Sequence, residues 1–174
     1  SISNLNHRNR VPLDSTRKII WDREQLLQQL PRIPRPLVFT NGCFDILHRG
    51  HIDYLTEAAT LGNFLLVGVN SDHSVRRLNK GSGRPLNSLD DRMMVLASLG
   101  CIHGVIPFED DTPLELIQLL EPDHLVKGGD WAVDQIIGSE FVAGIGGLVH
   151  SIPTRHNHST SDLICRIQSL SVRE

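Results

Sequence analysis

The sequence predicts an α/β fold, an open parallel sheet of about five strands with helices on both faces. Three observations lead there. Short apolar runs with the length and composition of buried parallel strands recur along the chain: Leu37-Val38-Phe39, Phe64 to Val69, Ile102 to Pro107, His124-Leu125-Val126 and Leu148 to Ile152. Segments with helical apolar spacing lie between them, and such alternation implies a parallel sheet with right-handed crossovers. The polar, glycine-containing stretches follow strand ends, where ligands sit in sheets of this kind. The arrangement is Rossmann-like, but the chain lacks GxGxxG, so a dinucleotide cofactor is not indicated.

Residues 1–17 are polar and aperiodic and read as a flexible N-terminal tail, leaving 18–174 as a single domain. Asp22 caps a helical pattern running to Leu30, with Glu24 in its first turn, and Pro31, Pro34 and Pro36 end it. After the first strand the chain turns through Thr40-Asn41-Gly42, and a helix follows with Ile52, Leu55, Ala58 and Ala59 on one face and Gly62 as its C-cap. Ser71 or Asp72 caps a short helix holding Val75 and Leu78, and the basic segment Arg76 to Pro85 reads as a mobile loop. Ser88 or Asp90 caps the next helix, Pro113 opens another, and Ser161 to Leu170 is the last.

Composition narrows the function classes. A formal net charge of −3 gives no electrostatic reason to bind nucleic acid or a membrane surface. No apolar run approaches a membrane span. Cys43, Cys101 and Cys165 lie far apart, which argues against a disulfide framework or a zinc ribbon and suits the cytoplasm.

The informative stretch is Pro36 to Tyr54. His48-Arg49-Gly50-His51 puts two imidazoles on one helical face, directly after a strand and a polar turn. Free N–H groups and the dipole at a helix start favour an anion, and Gly50 leaves the backbone open to a bulky group. The stretch is therefore expected to hold the phosphates of a nucleotide. A zinc site is the rival, with Asp45 or Cys43 as third ligand, but no HExxH-like pattern supports it, so no metal ligands are assigned. Lys127-Gly128-Gly129-Asp130 is a tight turn or, with a lysine at a strand's carboxyl end, a ligand site. Ser159-Thr160-Ser161 is a helix N-cap or a phosphate contact through the same N–H groups. The run Arg76 to Arg84 is a solvated loop or a substrate contact through Arg77, Lys80 and Arg84.

The stretch Thr40 to His51 resembles the signature of the cytidylyltransferase-like nucleotidyltransferases, whose hallmark is His-x-Gly-His. Three further blocks occur in that family's order: Asn70-Ser71-Asp72 with Ser74 to Leu78 and Arg84-Pro85, then Lys127 to Asp130, then Ser159-Thr160-Ser161. The match runs from about Leu37 to Ile167 and is most similar to the heptose 1-phosphate adenylyltransferases. It implies transfer of AMP from ATP to D-glycero-β-D-manno-heptose 1-phosphate, giving pyrophosphate and ADP-heptose for lipopolysaccharide. The chain is too short to hold the sugar kinase domain that accompanies this activity in many bacteria, so a stand-alone enzyme is expected. The resemblance assigns catalysis to His48, His51 and Lys127. Nucleotide binding goes to Thr40, Asn41, Gly42, Cys43, Phe44, Gly50, Gly128, Asp130, Ser159, Thr160 and Ser161. Substrate binding goes to Asp45, Asn70, Asp72, Arg77, Lys80, Arg84 and Arg92. It also allows a homodimer. The match departs at Thr154 to His158, which lacks the glycine many relatives have, and at Ser161, which replaces a threonine but keeps a hydroxyl.

A phosphate oxygen attacks the α-phosphorus and pyrophosphate leaves. The second pKa of a sugar 1-phosphate is about 6, so the nucleophile is already ionised and needs no general base. The demand is for in-line positioning and for donors on developing charge. Mg²⁺ should ride with the ATP phosphates and keep its waters. The rivals are a cytidylyltransferase acting on glycerol 3-phosphate or phosphoethanolamine, and a nucleotide-binding module without catalysis.

Overall fold

The computed structural model describes residues 14–78, 83–153 and 160–171. Five parallel strands form one sheet: β1 (Leu37–Gly42), β2 (Phe64–Asn70), β3 (Gly104–Phe108), β4 (His124–Gly128) and β5 (Leu148–Ile152), in the order β3-β2-β1-β4-β5. The chain winds outward from β1 to β3, then returns to β1's other side with β4. The winding thus reverses between β1 and β4, where their carboxyl ends splay loops apart.

Among the described residues there are seven α-helices: α1 (Arg23–Gln29), α2 (Arg49–Ala59), α3 (Asp72–Arg77), α4 (Leu89–Ala97), α5 (Leu114–Leu120), α6 (Ser139–Gly144) and α7 (Thr160–Ser171). Alternate strand residues face opposite sides. Val38, Leu65, Val67, Val105 and Val126 pack with Tyr54, Leu55 and Ala58 of α2 and Met93, Leu96 and Ala97 of α4. Leu37, Phe39, Leu66, Ile106 and Leu125 pack with Leu26 of α1, Ile117 and Leu120 of α5, and Val142 of α6. Helices on both faces match the expected architecture. Asp22, Ser71 and Ser88 cap α1, α3 and α4 through their side chains.

Several boundaries differ from the sequence reading. β1 continues through Thr40, Asn41 and Gly42, which pair with Val67, Gly68 and Val69 of β2; Thr40 also pairs with Val126 of β4, while Asn41 and Gly42 extend past the β4 pairing toward the loops. β3 begins at Gly104 rather than Ile102. α6 and a 3₁₀ turn at Val133–Gln135 were not expected from the apolar spacing; both are too short to display a period. Of the expected tail, residues 14–17 are described and enter a 3₁₀ turn at Ser15–Lys18; just beyond it, Ile19 and Ile20 are each only 2% exposed. Ile19 bridges Val105 and the Ile20 N–H donates to Val105 O at 2.8 Å, so this segment lies along the outer edge of β3. Gly62 is not a left-handed helix cap. The backbone of Pro36 passes so close that a Cβ on Gly62 would lie 2.4 Å from its carbonyl oxygen.

Candidate active site

At the carboxyl ends of β1 and β4 the loops enclose a cleft of about 610 Å³. Its floor is the β1–α2 turn. Phe44 takes a left-handed backbone, φ 49, a conformation costly for a residue with a side chain and favoured only when its surroundings impose it. What imposes it is a set of buried polar contacts. Arg92 of α4, 2% exposed, donates to Cys43 O at 2.5 Å, Asn70 O at 2.8 Å, Asn87 O at 3.1 Å and Asp72 Oδ1 at 2.8 Å. Asp45 accepts from Arg84 Nε at 2.6 Å and from the Leu86 and Asn87 amides at 2.8 and 2.9 Å. Burial by itself would raise the Asp45 pKa, but the amides of Asn87 and Leu86 and the Arg84 guanidinium hold it below the usual carboxylate range. The turn that carries the histidine motif is thus tied to the loop before α4.

His48 is the N-cap of α2 and His51 lies one turn in, their ring centroids 3.9 Å apart. The His48 backbone N–H donates to His51 Nδ1 at 3.4 Å. Nδ1 is therefore the unprotonated nitrogen, and neutral His51 carries its proton on Nε2. Burial, and next the neighbouring His48, push the His51 pKa down to about 4, so at neutral pH His51 is an uncharged donor. Phe44 and Tyr54 flank it, with ring centroids at 5.5 and 6.3 Å. Lys127, at the end of β4, reaches the same cleft and donates to Asn41 O at 3.5 Å. Thr160, at the start of α7, lines it too and donates to Ile46 O at 3.2 Å, which docks that helix end against the β1–α2 turn.

Of the expected site residues, Asn41, Gly42, Cys43, Phe44, Asp45, His48, His51, Asn70, Arg84, Lys127, Gly128 and Thr160 line the cleft. Others are placed elsewhere. Thr40 is fully buried within β1, Gly50 is buried in the first turn of α2, and Asp130 is exposed outside the lining. Arg92 and Asp72 bind each other beneath the turn instead of facing the cleft. Arg77 is held on the surface by Asp111 at 2.5 Å and by Glu109. Gly128 has a packing reason to be glycine, since a Cβ there would lie 2.8 Å from the Tyr54 ring. Lys80 and Ser159, with Arg155, His156 and His158, fall outside the described residues, and Ser161 is in the first turn of α7. Among the described residues, no group of three or more His, Cys, Asp or Glu could hold a metal ion, and no helix is long and apolar enough to cross a membrane. The cleft lining also includes Gly129, inside the Lys127 block, and residues to which the sequence reading gave no site role: Tyr54, Leu78, Asp111, Pro113, Trp131, Gln135, Ile136 and Ile137. Trp131 was findable, because it directly follows the Lys127 block; the rest carry no local signal.

Comparison with known proteins points the same way. A sequence profile of the cytidylyltransferase-like family matches residues 39–166. The chain is 54% identical over 137 residues to D-beta-D-heptose 1-phosphate adenylyltransferase of Bordetella bronchiseptica, covering 79% of this chain and 85% of that one. It is 49% identical over 156 residues to the bifunctional protein HldE of Helicobacter pylori, covering 90% of this chain but 33% of that longer one. The crystal structure of a lipopolysaccharide core biosynthesis protein from Thermoplasma volcanium superposes with a TM-score of 0.56 at 26% identity, covering 70% of this chain and 98% of that one. Pantoate-beta-alanine ligase of Francisella tularensis shares the fold, with a TM-score of 0.59 at 15% identity, covering 90% of this chain and 79% of that one.

Proposed function

Because the chain belongs to the cytidylyltransferase-like family, we propose that this cleft transfers AMP from ATP to D-glycero-β-D-manno-heptose 1-phosphate, releasing pyrophosphate and ADP-heptose. The observation that carries nucleotidyl transfer is the His48–His51 pair at the head of α2, lining one cleft with Lys127. The acceptor and the choice of ATP rest on the likeness to the Bordetella adenylyltransferase.

In this reading the α-phosphate lies over the β1–α2 turn. The acceptor's phosphate oxygen attacks phosphorus in line, the bond to the bridging oxygen breaks, and pyrophosphate leaves with that electron pair. His51 donates from Nε2 to a phosphate oxygen without changing charge, and His48 and Lys127 meet the charge that builds as the bond breaks. The N-terminus of α7, with Thr160, adds N–H donors for the leaving pyrophosphate. Asp45 is not a general base, because it is engaged by Arg84 and two amides. ATP enters as its Mg²⁺ complex. Among the described residues, the carboxylates lining the cleft are Asp45 and Asp111, and they already bind Arg84 and Arg77, which suits an ion held by nucleotide phosphates and water. The three cysteines form no disulfide, in keeping with a cytoplasmic setting.

The test is pyrophosphate release with MgATP and heptose 1-phosphate, against MgCTP with glycerol 3-phosphate. Turnover with the first pair alone is expected; turnover with the second alone refutes the proposed donor and acceptor. His48→Ala should lower kcat by about 10²–10³, the scale for loss of one transition-state donor, with the melting temperature little changed.

A further inference from the structure

Trp131 is half exposed, at 49%, on the wall of the cleft, yet it is held at several points. Its backbone N–H donates to Ser151 Oγ at 3.0 Å and to Gly129 O at 3.1 Å, and its indole Nε1–H donates to Gly128 O at 3.2 Å. Ser151, in β5, donates in turn to Gly129 O at 2.7 Å, and the Gly129 N–H reaches Ile152 O at 2.8 Å. Gly129 has φ +114, and a Cβ there would lie 2.9 Å from the indole nitrogen. The ring therefore lies against the turn, and only glycine leaves it room. A large exposed apolar side chain ordinarily keeps its rotamer freedom; here the backbone bonds set the Cα and the indole bond to Gly128 O restricts the ring before any ligand arrives.

An aromatic ring fixed in this way, with area still open to a cleft, is a stacking platform. Pro113, Ile136 and Ile137 line the same cleft and offer no polar groups from their side chains. A sugar phosphate presents hydroxyls that such a wall would leave unpaired. A nucleoside triphosphate has one flat, largely apolar part, its base. We infer that Trp131, set in position by Ser151, is the platform on which the nucleobase of the bound nucleotide stacks. The inference rests on the nucleotidyl-transfer reading above and adds to it a base-binding residue and a positioning residue.

The chain holds two tryptophans, Trp21 and Trp131. In a Trp21→Phe background, titration with ATP and no acceptor should quench the Trp131 emission saturably. Trp131→Ala should raise the Kd for ATP roughly tenfold, the scale of one base–aromatic stack, and leave the Kd for inorganic tripolyphosphate within about twofold. Trp131→Tyr should restore most of the ATP affinity. Ser151→Ala should weaken ATP binding less than Trp131→Ala, and should lower the anisotropy of Trp131 emission in the free protein. The inference is overturned if ATP binding survives Trp131→Ala, or if tripolyphosphate binding weakens equally. It is also overturned if only the KM for the acceptor rises, which would make Trp131 a sugar platform. The two readings fail separately. If ATP quenches Trp131 but no acceptor yields pyrophosphate, nucleotidyl transfer falls and the stack stands; if no nucleotide binds, both fall.

Discussion

His51 is held uncharged, and this has a cost that acid should reveal. In the unfolded chain its imidazole titrates at 6.5; in the folded protein burial and His48 bring that down to about 4. Between those values the unfolded chain binds a proton that the folded protein refuses. Stability from this group is therefore intact above pH 6.5 and falls as pH drops through 6.5 toward 4. The full difference corresponds to about 3 kcal/mol, of which about 2 kcal/mol is already lost at pH 5. His51→Asn removes the titration and keeps an acceptor for the His48 amide. Urea unfolding of both proteins at pH 7, 6 and 5 gives the comparison. The wild type should lose about 2 kcal/mol more than the variant between pH 7 and pH 5. His103 and His150 are also pushed down, each chiefly by burial, but both proteins share them, so they cancel in the difference. Parallel curves would refute the reasoning. So would a wild type that gains on the variant as pH falls, which would mean that the folded site holds an imidazolium.

Two further outcomes test the frame around the site. Arg92→Met leaves the Cys43 and Asn70 carbonyls and Asp72 without their buried partner, and should cost about 3–5 kcal/mol in urea unfolding; a loss under about 1 kcal/mol would show that the guanidinium does not hold the turn. Gly62→Ala forces a Cβ against the Pro36 carbonyl and should cost about 1–3 kcal/mol, whereas Gly100→Ala meets nothing within 4 Å and should change stability by less than about 0.5 kcal/mol. Equal effects at the two glycines would contradict the packing described for Gly62.

Much of this protein was legible before any coordinates. The strand, the polar turn and the two histidines are consecutive in the chain, so their union at the head of α2 is local information. Lys127 and Thr160 were readable because each sits where an element begins or ends. Arg92 was misread for a physical reason: a charged residue on an amphipathic helix looks solvent-bound or ligand-bound. Its burial depends on carbonyls from Cys43 and Asn70, distant in sequence. Gly62 failed the same way, since a glycine after a helix suggests a cap and the opposing Pro36 backbone is invisible in the sequence. The apolar lining from Pro113, Ile136 and Ile137 has no motif. It exists only because the winding brings the loop before α5 and the loop after β4 to one place.

The isoleucines along β3 carry a consequence for how the chain is made. An uncovered edge strand offers unpaired N–H and C=O groups to any other strand it meets. Here Ile19 and Ile20 meet the outer side of β3 at Val105, and they emerge from the ribosome long before Val105 exists to receive them. Throughout that interval two strongly apolar residues are waiting without a partner, and β1 and β2 can already pair. Only when β3 follows does the early segment find its seat and close that margin of the sheet. Nascent chains halted before β3 should therefore be the ones most prone to aggregation, and those extended past Phe108 markedly less so.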